Sequence, residues 1–272
     1  MRRFIIRRFI FSLVSIVVAT MAVFLLSRAA GDPLLLYATS GYGLTPESEA
    51  ALRKRLALDR AVPVQYALWL GRTLKGDMGE TIRDRKPVSR VVTQRLPSTL
   101  HLGATAFILS FLVGIPLGVL SAVKRGSIWD YLGRFVALLG QAVPQFWLGL
   151  VLIMVFAVKW QLFPAGLKGD GFLDVKHLVL PTITLASGGF AFYMRITRTA
   201  MLEVLDSEYV RLARAKGVGN NKVIWKHAFK NALIQPLTGM TLGLTFFLTG
   251  SVLVEQIFAW PGMGLMAIDA VN

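Results

Sequence analysis

The amino-acid sequence predicts an all-α polytopic membrane protein, and three observations support that fold class. Hydrophobic residues make up 54% of the 272 positions. They are grouped in blocks of about 20 residues, the length that an α-helix needs to cross a bilayer. The formal net charge of +15 comes from basic residues that flank these blocks, as expected where positive charge sets the orientation of membrane helices. This pattern is not that of an ordinary soluble domain.

The first predicted span covers residues 9–30 and anchors the N-terminus. The basic residues that precede it place the N-terminus in the cytoplasm by the positive-inside rule. The apolar block is too long for the core of a signal peptide and has no clear small-residue cleavage site, so we expect it to remain in the membrane. Residues 1–30 therefore form the first region, with a basic flank of Arg2, Arg3, Arg7 and Arg8.

Residues 31–97 form a long polar loop that we expect to lie outside, with short amphipathic helices. Thr45 is the expected N-cap of one helix, with Pro46 at its first position. A second helix is predicted to begin near Pro63 and to end at Gly76, and a third, surface-lying segment spans residues 88–96. The loop has eleven Lys/Arg against seven acids, but loops longer than about 60 residues escape the charge rule.

Residues 98–272 form the predicted core transmembrane domain with four further spans. These are expected at residues 99–123, 131–160, 178–195 and 237–258. Gly114, Pro116 and Gly118 in the second span indicate a packing kink, which membrane helices tolerate when neighbours satisfy the backbone. Lys124 and Arg125 mark the cytoplasmic side after it.

Three polar side chains within or near these spans are candidates for a substrate pathway. Gln141 and Gln145 are four residues apart and are expected to share a helix face that points into the bundle. They either line a pathway or form interhelical hydrogen bonds, which are worth only about 0.6 kcal/mol on average. Glu255 is expected at the outer interface or in a wet cavity, because a carboxylate deep in hydrocarbon is costly. Interfacial solvation is the simpler interpretation of Glu255, and gating is the alternative.

Residues 199–236 form a basic cytoplasmic loop between two apolar stretches. Six Lys/Arg between Arg211 and Lys230 exclude it from hydrocarbon. Gly217 and Gly219 predict a break between two short helices, with Asn220 capping the second, which stops near Pro236. A loop that only touches anionic lipid is the simple interpretation. The small residues Ala213, Ala215 and Gly217 instead favour close approach of another protein surface.

The same loop carries a resemblance to a known family. The run EYVRLARAKG, followed by KHAFKNAL and a proline, resembles the signature loop of ABC importer permeases of the dipeptide, oligopeptide and nickel transport family. PQFWLG and the stretch from Glu255 to Gly264 resemble the same family. Arg211 stands where the general motif has an acid. The resemblance implies the type I importer transmembrane-domain fold in a bacterial inner membrane, with five spans visible and a sixth expected beyond Asn272.

The resemblance also implies roles for residues and partners. The loop corresponds to a coupling helix that docks into a cleft on an ATPase subunit. The implied partners are a homologous second permease, two ATP-binding cassette subunits, an extracytoplasmic substrate-binding protein and membrane lipids, with no nucleic acid. The ATPase-coupling candidates are Glu208, Tyr209, Arg211, Leu212, Ala213, Arg214, Ala215, Lys216 and Gly217, with Lys226, His227 and Asn231 bracing the second helix.

The sequence contains no recognisable catalytic, nucleotide-binding or metal-binding motif. It has no cysteine and no Walker phosphate loop, and its three histidines are far apart. We therefore expect neither an enzyme nor a metal site, and ATP and Mg²⁺ would belong to partner subunits. The alternatives are a secondary transporter or channel that works without an ATPase, and a membrane scaffold. Dipeptides, oligopeptides, glutathione and nickel chelates all remain open as substrates.

Overall fold

The computed structural model describes residues 1–29, 31, 34, 46–81, 84–169, 171, 174–249 and 251–270. Helices dominate this part of the chain, and its only β-type pairing is an isolated bridge between Glu80 and Pro87. The all-α prediction is confirmed. The predicted N-cap Thr45 lies outside the described residues. The chain forms two compact units, Met1–Thr93 and Gln94–Asn272.

The first unit contains the apolar helix α1 (Arg2–Ala29), α2 (Pro46–Arg55) and α3 (Val62–Leu74). α3 packs on α1 through Tyr66, whose hydroxyl lies 3.0 Å from Thr20 Oγ1 and donates to Val17 O at 3.1 Å. The ring of Phe24 meets that of Tyr66 at 5.6 Å. After α3, the chain turns at Gly76, whose φ of +86° suits glycine. The predicted bounds of α3 therefore agree with the structure.

Helix α4 (Val88–Val123) is continuous over 36 residues. The segment predicted at residues 88–96 forms the first turns of this helix and leads directly into the next predicted span. Pro97 lies inside α4 and removes one backbone hydrogen bond. Both Pro97 and Thr93, whose carbonyl loses that bond, are exposed, so solvent can satisfy the carbonyl and the helix continues.

The remaining helices belong to the second unit. α5 covers Ile128–Ala142, and α6 covers Gln145–Leu152 and continues as a π-helical segment, Ile153–Lys159. α7 covers Val175–Leu205 and α8 covers Glu208–Ala215. α9 consists of Asn220–Lys222, a π-helical segment Val223–Phe229, and Lys230–Ala232. α10 (Ile234–Thr249), α11 (Ser251–Ile257) and α12 (Met263–Asp269) complete the described chain.

Three described helices, α1, α4 and α7, are long and apolar enough to cross a membrane, and two bent helix pairs raise the number to as many as five. One pair, α5 with α6 and its π-helical extension, bends by 104°. The third predicted span, residues 131–160, therefore corresponds to a bent helix pair and not to one continuous helix. Val143 is extended, with ψ of 122°, because a residue before proline avoids the helical region, and Pro144 has no N–H to continue the helix.

Helix α7 lies at the centre of the second unit. In its most apolar stretch of 18 residues, 61% of the residues are buried, compared with 44% in the corresponding stretch of α4. Gly114 and Gly118 bring α4 close to it. A Cβ on Gly114 would stand 2.7 Å from Phe190 O, and one on Gly118 would stand 2.6 Å from Met194 O. This is the close approach that small residues four apart permit between membrane helices.

Candidate coupling hairpin and bundle contacts

Residues 208–232 form a helical hairpin, called here the coupling hairpin. Its first helix, α8, ends in a Schellman motif. Gly217 N–H donates to Arg214 O at 2.9 Å and Val218 N–H donates to Ala213 O at 3.2 Å. Gly217 has φ of +75°, a conformation that side chains other than glycine adopt at a cost. The motif turns the chain into α9, whose N-cap is Gly219 and not the predicted Asn220.

Apolar contacts hold the two helices of the hairpin together. Val210, Ala213 and Val223 are buried and pack with Val204 and Val218. Ala213 is small because α9 lies against it. The expectation that Ala213 leaves room for another protein was therefore wrong, and the Schellman turn accounts for Gly217.

A polar contact also joins the two helices. Asn231 Nδ2 donates to Tyr209 Oη at 2.9 Å and to His227 O at 3.1 Å. Tyr209 Oη donates to His227 O at a longer distance of 3.4 Å. Lys226, the third residue predicted to brace the second helix, is exposed. The bracing contacts therefore come from Asn231 and the backbone of His227.

The outer face of the coupling hairpin combines apolar and basic side chains. Leu212 is 56% exposed and Trp225 is 55% exposed, and the Trp225 ring stacks edge-on against Phe229 at 5.3 Å. Arg211, which replaces the acid of the family motif, pairs with Glu208 of its own helix at 3.1 Å. Exposed large apolar groups rimmed by charges are typical of a protein-binding surface. The sequence pattern did not single out Trp225. The other exposed candidates of the first helix and its end are Tyr209, Arg214, Ala215 and Lys216.

The inner face of α9 belongs to the core of the bundle. Ile224, Ala228 and Ala232 are buried in one apolar cluster with residues of α4 and α7. Because packed interiors deform little, displacement of the hairpin is transmitted to these helices. The α4 and α7 residues of this cluster are Ile115, Val119, Ala122, Tyr193, Ala200 and Met201.

The two glutamines predicted to share a helix face lie on different helices. Gln141 is in the last turn of α5 and Gln145 begins α6, so the break at Pro144 separates them. Gln141 Oε1 accepts a hydrogen bond from Arg195 Nη1 at 2.8 Å. Gln145 Nε2 lies 3.7 Å from the position that a Cβ on Gly188 would take. The shared-face prediction was wrong, although both side chains approach α7.

Glu255 is fully buried, so the solvation predicted for it, at the outer interface or in a wet cavity, was wrong. Its Oε1 accepts a hydrogen bond from Thr99 Oγ1 at 2.7 Å. Its Oε2 accepts from the backbone N–H groups of Gly264 and Leu265 at 2.6 and 3.1 Å. Three donors therefore replace water around the carboxylate, and α4, α11 and α12 are tied together at the end of the bundle opposite the hairpin. The signal missed was the turn at Pro261, which brings N–H groups back to the carboxylate.

A second buried carboxylate, Asp130, lies at the hairpin end. It is 1% exposed and accepts from Arg198 Nε at 2.9 Å and from Arg198 Nη2 at 3.1 Å. Ser121 Oγ donates to the same carboxylate at 2.5 Å. The three residues tie α4, α5 and α7 together, and sequence analysis missed them. No group of three or more His, Cys, Asp or Glu that could hold a metal ion occurs among the described residues.

Comparisons with known proteins agree with this architecture. The chain is 39% identical to the oligopeptide transport system permease protein AppB of Bacillus subtilis, over 99% of this chain and 87% of that protein. It is also 39% identical to the dipeptide transport system permease protein DppB of Escherichia coli K12, over 89% of this chain and 79% of that protein.

Solved structures show the same fold. A chain of the inward-facing MetNI methionine ABC transporter matches with a TM-score of 0.55 at 19% identity, covering 67% of this chain and 81% of that one. An amino acid ABC transporter matches with a TM-score of 0.53 at 16% identity, covering 66% and 78%. Residues 1–103 match the N-terminal family of binding-protein-dependent transport system membrane components. Residues 114–272 match the binding-protein-dependent transport system inner membrane components, and the chain belongs to that family.

Proposed function

We propose that this chain is a transmembrane permease subunit of an ATP-driven importer of peptides, and that the coupling hairpin is its docking element for an ATPase subunit. One observation carries the proposal. The outer face of the hairpin exposes Leu212 and Trp225 among basic residues, while its inner face packs into the core formed by α4 and α7. The relatives named as oligopeptide and dipeptide permeases support peptides as the substrate class.

The proposed complex contains a second, homologous permease, two ATPase subunits and an external binding protein. ATP and Mg²⁺ are held by the ATPase subunits. Four basic residues in the first turns of α1 support a cytoplasmic N-terminus. The hairpin then lies on the same side as the ATPases, where both the nucleotide and the docking surface are available.

In this mechanism, nucleotide binding closes the ATPase subunits and displaces the docked hairpin. The hairpin is held to α7 by the buried residues of α9, so α7 and its neighbours move as rigid elements. Rigid-body movement of this kind opens the bundle alternately to the two sides of the membrane. The permease itself performs no chemistry on ATP.

The docking surface is tested by purifying the complex in mild detergent after Leu212→Glu. Leu212 is exposed in the single chain, so the substitution leaves the hairpin core intact. A central apolar contact in an interface is worth about 2 kcal/mol, or roughly a thirty-fold loss of affinity. We expect the ATPase subunits to dissociate from Leu212→Glu while the chain still folds.

Leu162 provides the matched control, because it is 57% exposed and lies outside the hairpin. Leu162→Glu is expected to retain the ATPase subunits. Equal retention by both variants, measured by quantitative gel densitometry, would contradict the assignment of the docking face. A stable homo-oligomer that never recruits an ATPase would contradict the importer itself.

A further inference from the structure

A basic groove lies between α5 and α7, in the half of the bundle nearer the coupling hairpin. Its polar lining consists of Arg134 and Gln141 of α5 with Arg195, Arg198 and Thr199 of α7, and its volume is about 300 Å³. Arg195 stands ten residues before the end of α7, about 15 Å along the helix axis. Three guanidinium groups therefore line one groove near the hairpin end of the bundle.

Two of these guanidinium groups are held in place by other side chains. Asp130 and Ser121 fix Arg198, and Gln141 fixes one nitrogen of Arg195. A group that is already ordered loses less entropy when a ligand binds. Asp130 also lies 3.4 Å from Arg134, so three arginines and one carboxylate leave a net charge of +2 (3 − 1). The groove is thus preorganised for an anion.

The groove is distinct from the apolar side of α5. Leu132, Phe135 and Leu139 form an exposed apolar face of that helix, which suits lipid or a neighbouring helix. Arg195 and Thr199 are exposed on α7 instead. Ionisable residues in spanning helices face the bundle interior or a water-filled cavity and not lipid. The exposure of Arg195 and Thr199 leaves the groove open to solvent at the hairpin end of the bundle.

We propose that this groove binds the terminal carboxylate of a peptide as it passes through the permease. Arg195 binds the carboxylate directly, and Arg134 adds positive charge to the groove. Gln141 and Arg198 keep the shape of the groove. A guanidinium presents two parallel N–H donors to a carboxylate. The terminal carboxylate is common to peptides of any side-chain composition, so one such site serves many substrates. This inference rests on the proposed import of peptides.

The experiment measures binding to the complete transporter in detergent without its binding protein. The probes are trialanine and trialanine amide, and saturation-transfer NMR gives their affinities. Hydrogen bonds to a charged group are worth about 1.5–3 kcal/mol, so the wild type should bind the carboxylate form at least roughly ten-fold more tightly. Arg195→Gln should remove that preference, and Arg195→Lys should restore part of it, which excludes misfolding as the cause.

Arg125→Gln is the matched control. Arg125 is exposed at the same end of the bundle and pairs only distantly with Asp206, at 3.9 Å, and it does not line the groove. This variant should keep the preference for the carboxylate form. Equal affinities of the two peptides for the wild type would overturn the inference, as would equal losses in Arg125→Gln and Arg195→Gln.

Two further measurements separate the sources of failure. Native mass spectrometry measures the phospholipid that the transporter retains. If Arg195→Gln loses anionic lipid and the wild type shows no preference for the carboxylate form of the peptide, the occupant of the groove is a lipid headgroup. That result also overturns the inference. Uptake of labelled dialanine and trialanine by the full system tests the proposed function. Uptake without a binding preference refutes the groove alone, whereas absence of uptake refutes both.

Discussion

The contact between α4 and α7 at Gly118 predicts a large effect of a single added methyl group. In Gly118→Ala, the new Cβ would stand 2.6 Å from Met194 O and 2.7 Å from Thr197 Cβ. Ordinary contacts of a Cβ are 3.4 Å or longer. Met194 O is a backbone atom, so rotation of a side chain does not relieve the clash and the two helices must separate by several tenths of an ångström.

Overpacking of this kind costs about 1–3 kcal/mol. For a domain of 150–250 residues, each kcal/mol shifts the melting temperature by about 2–4 °C. We therefore expect this contact alone to lower the melting temperature of detergent-solubilised Gly118→Ala by about 2–12 °C. The gain in helix propensity from glycine to alanine, at most about 1 kcal/mol, reduces but does not cancel this loss.

Gly188→Ala is the control, because Gly188 lies in α7 and its added Cβ would meet only Gln145 Nε2 at 3.7 Å and Gly140 O at 4.0 Å. These are ordinary van der Waals distances. Gly188→Ala is expected to melt at or slightly above the temperature of the wild type, measured by tryptophan fluorescence during heating. If Gly118→Ala and Gly188→Ala melt together, α4 and α7 are not packed backbone to backbone and the reasoning fails.

Two further predictions concern the polar contacts. Glu255→Ala leaves the Thr99 hydroxyl and two N–H groups without an acceptor, which costs about 1–3 kcal/mol for each buried group. The melting temperature should therefore fall by about 6 °C or more, and Glu255→Gln should melt between Glu255→Ala and the wild type. An unchanged melting temperature of Glu255→Ala would mean that water reaches the site. Tyr209→Phe removes the hydroxyl that joins the two hairpin helices, and a hydrogen bond of this kind contributes about 0.5–1.5 kcal/mol to stability. The backbone amides of α8 should then exchange with deuterium roughly two- to ten-fold faster, with the amides of α3 as the internal standard. Unchanged exchange in α8 would contradict the bracing role of Tyr209.

The sequence was sufficient to predict the parts of this fold that depend on local pattern. Long apolar runs identified α1, α4 and α7, and the glycine at position 217 marked the break in the hairpin. The faces of polar residues could not be derived in the same way. Gln141 and Gln145 share a face only if the helix continues, and Pro144 prevents that.

The buried polar contacts depend on residues that are distant in the chain. Asp130 meets Arg198, 68 positions away, and Glu255 meets Thr99, 156 positions away. When only the neighbouring sequence is considered, each of these carboxylates is predicted to be exposed or interfacial, because burying a charged group without partners is costly. Only the tertiary fold supplies the donors that make burial favourable. The same reasoning explains why the basic groove was missed, since its arginines come from two helices that run in opposite directions.

These contacts determine which helices the coupling hairpin can move. A hydrogen-bonded group joins α4, α5 and α7 at the hairpin end, and it consists of Ser121, Asp130 and Arg198. The backbones of α4 and α7 also lie in close contact at Gly114 and Gly118. Polar ties and backbone contacts resist sliding more than apolar side chains do, because displacement leaves donors unpaired. We therefore expect α4, α5 and α7 to move as one body when the hairpin is displaced. The basic groove lies between two members of that body, so we expect its arginines to keep their spacing during such a movement.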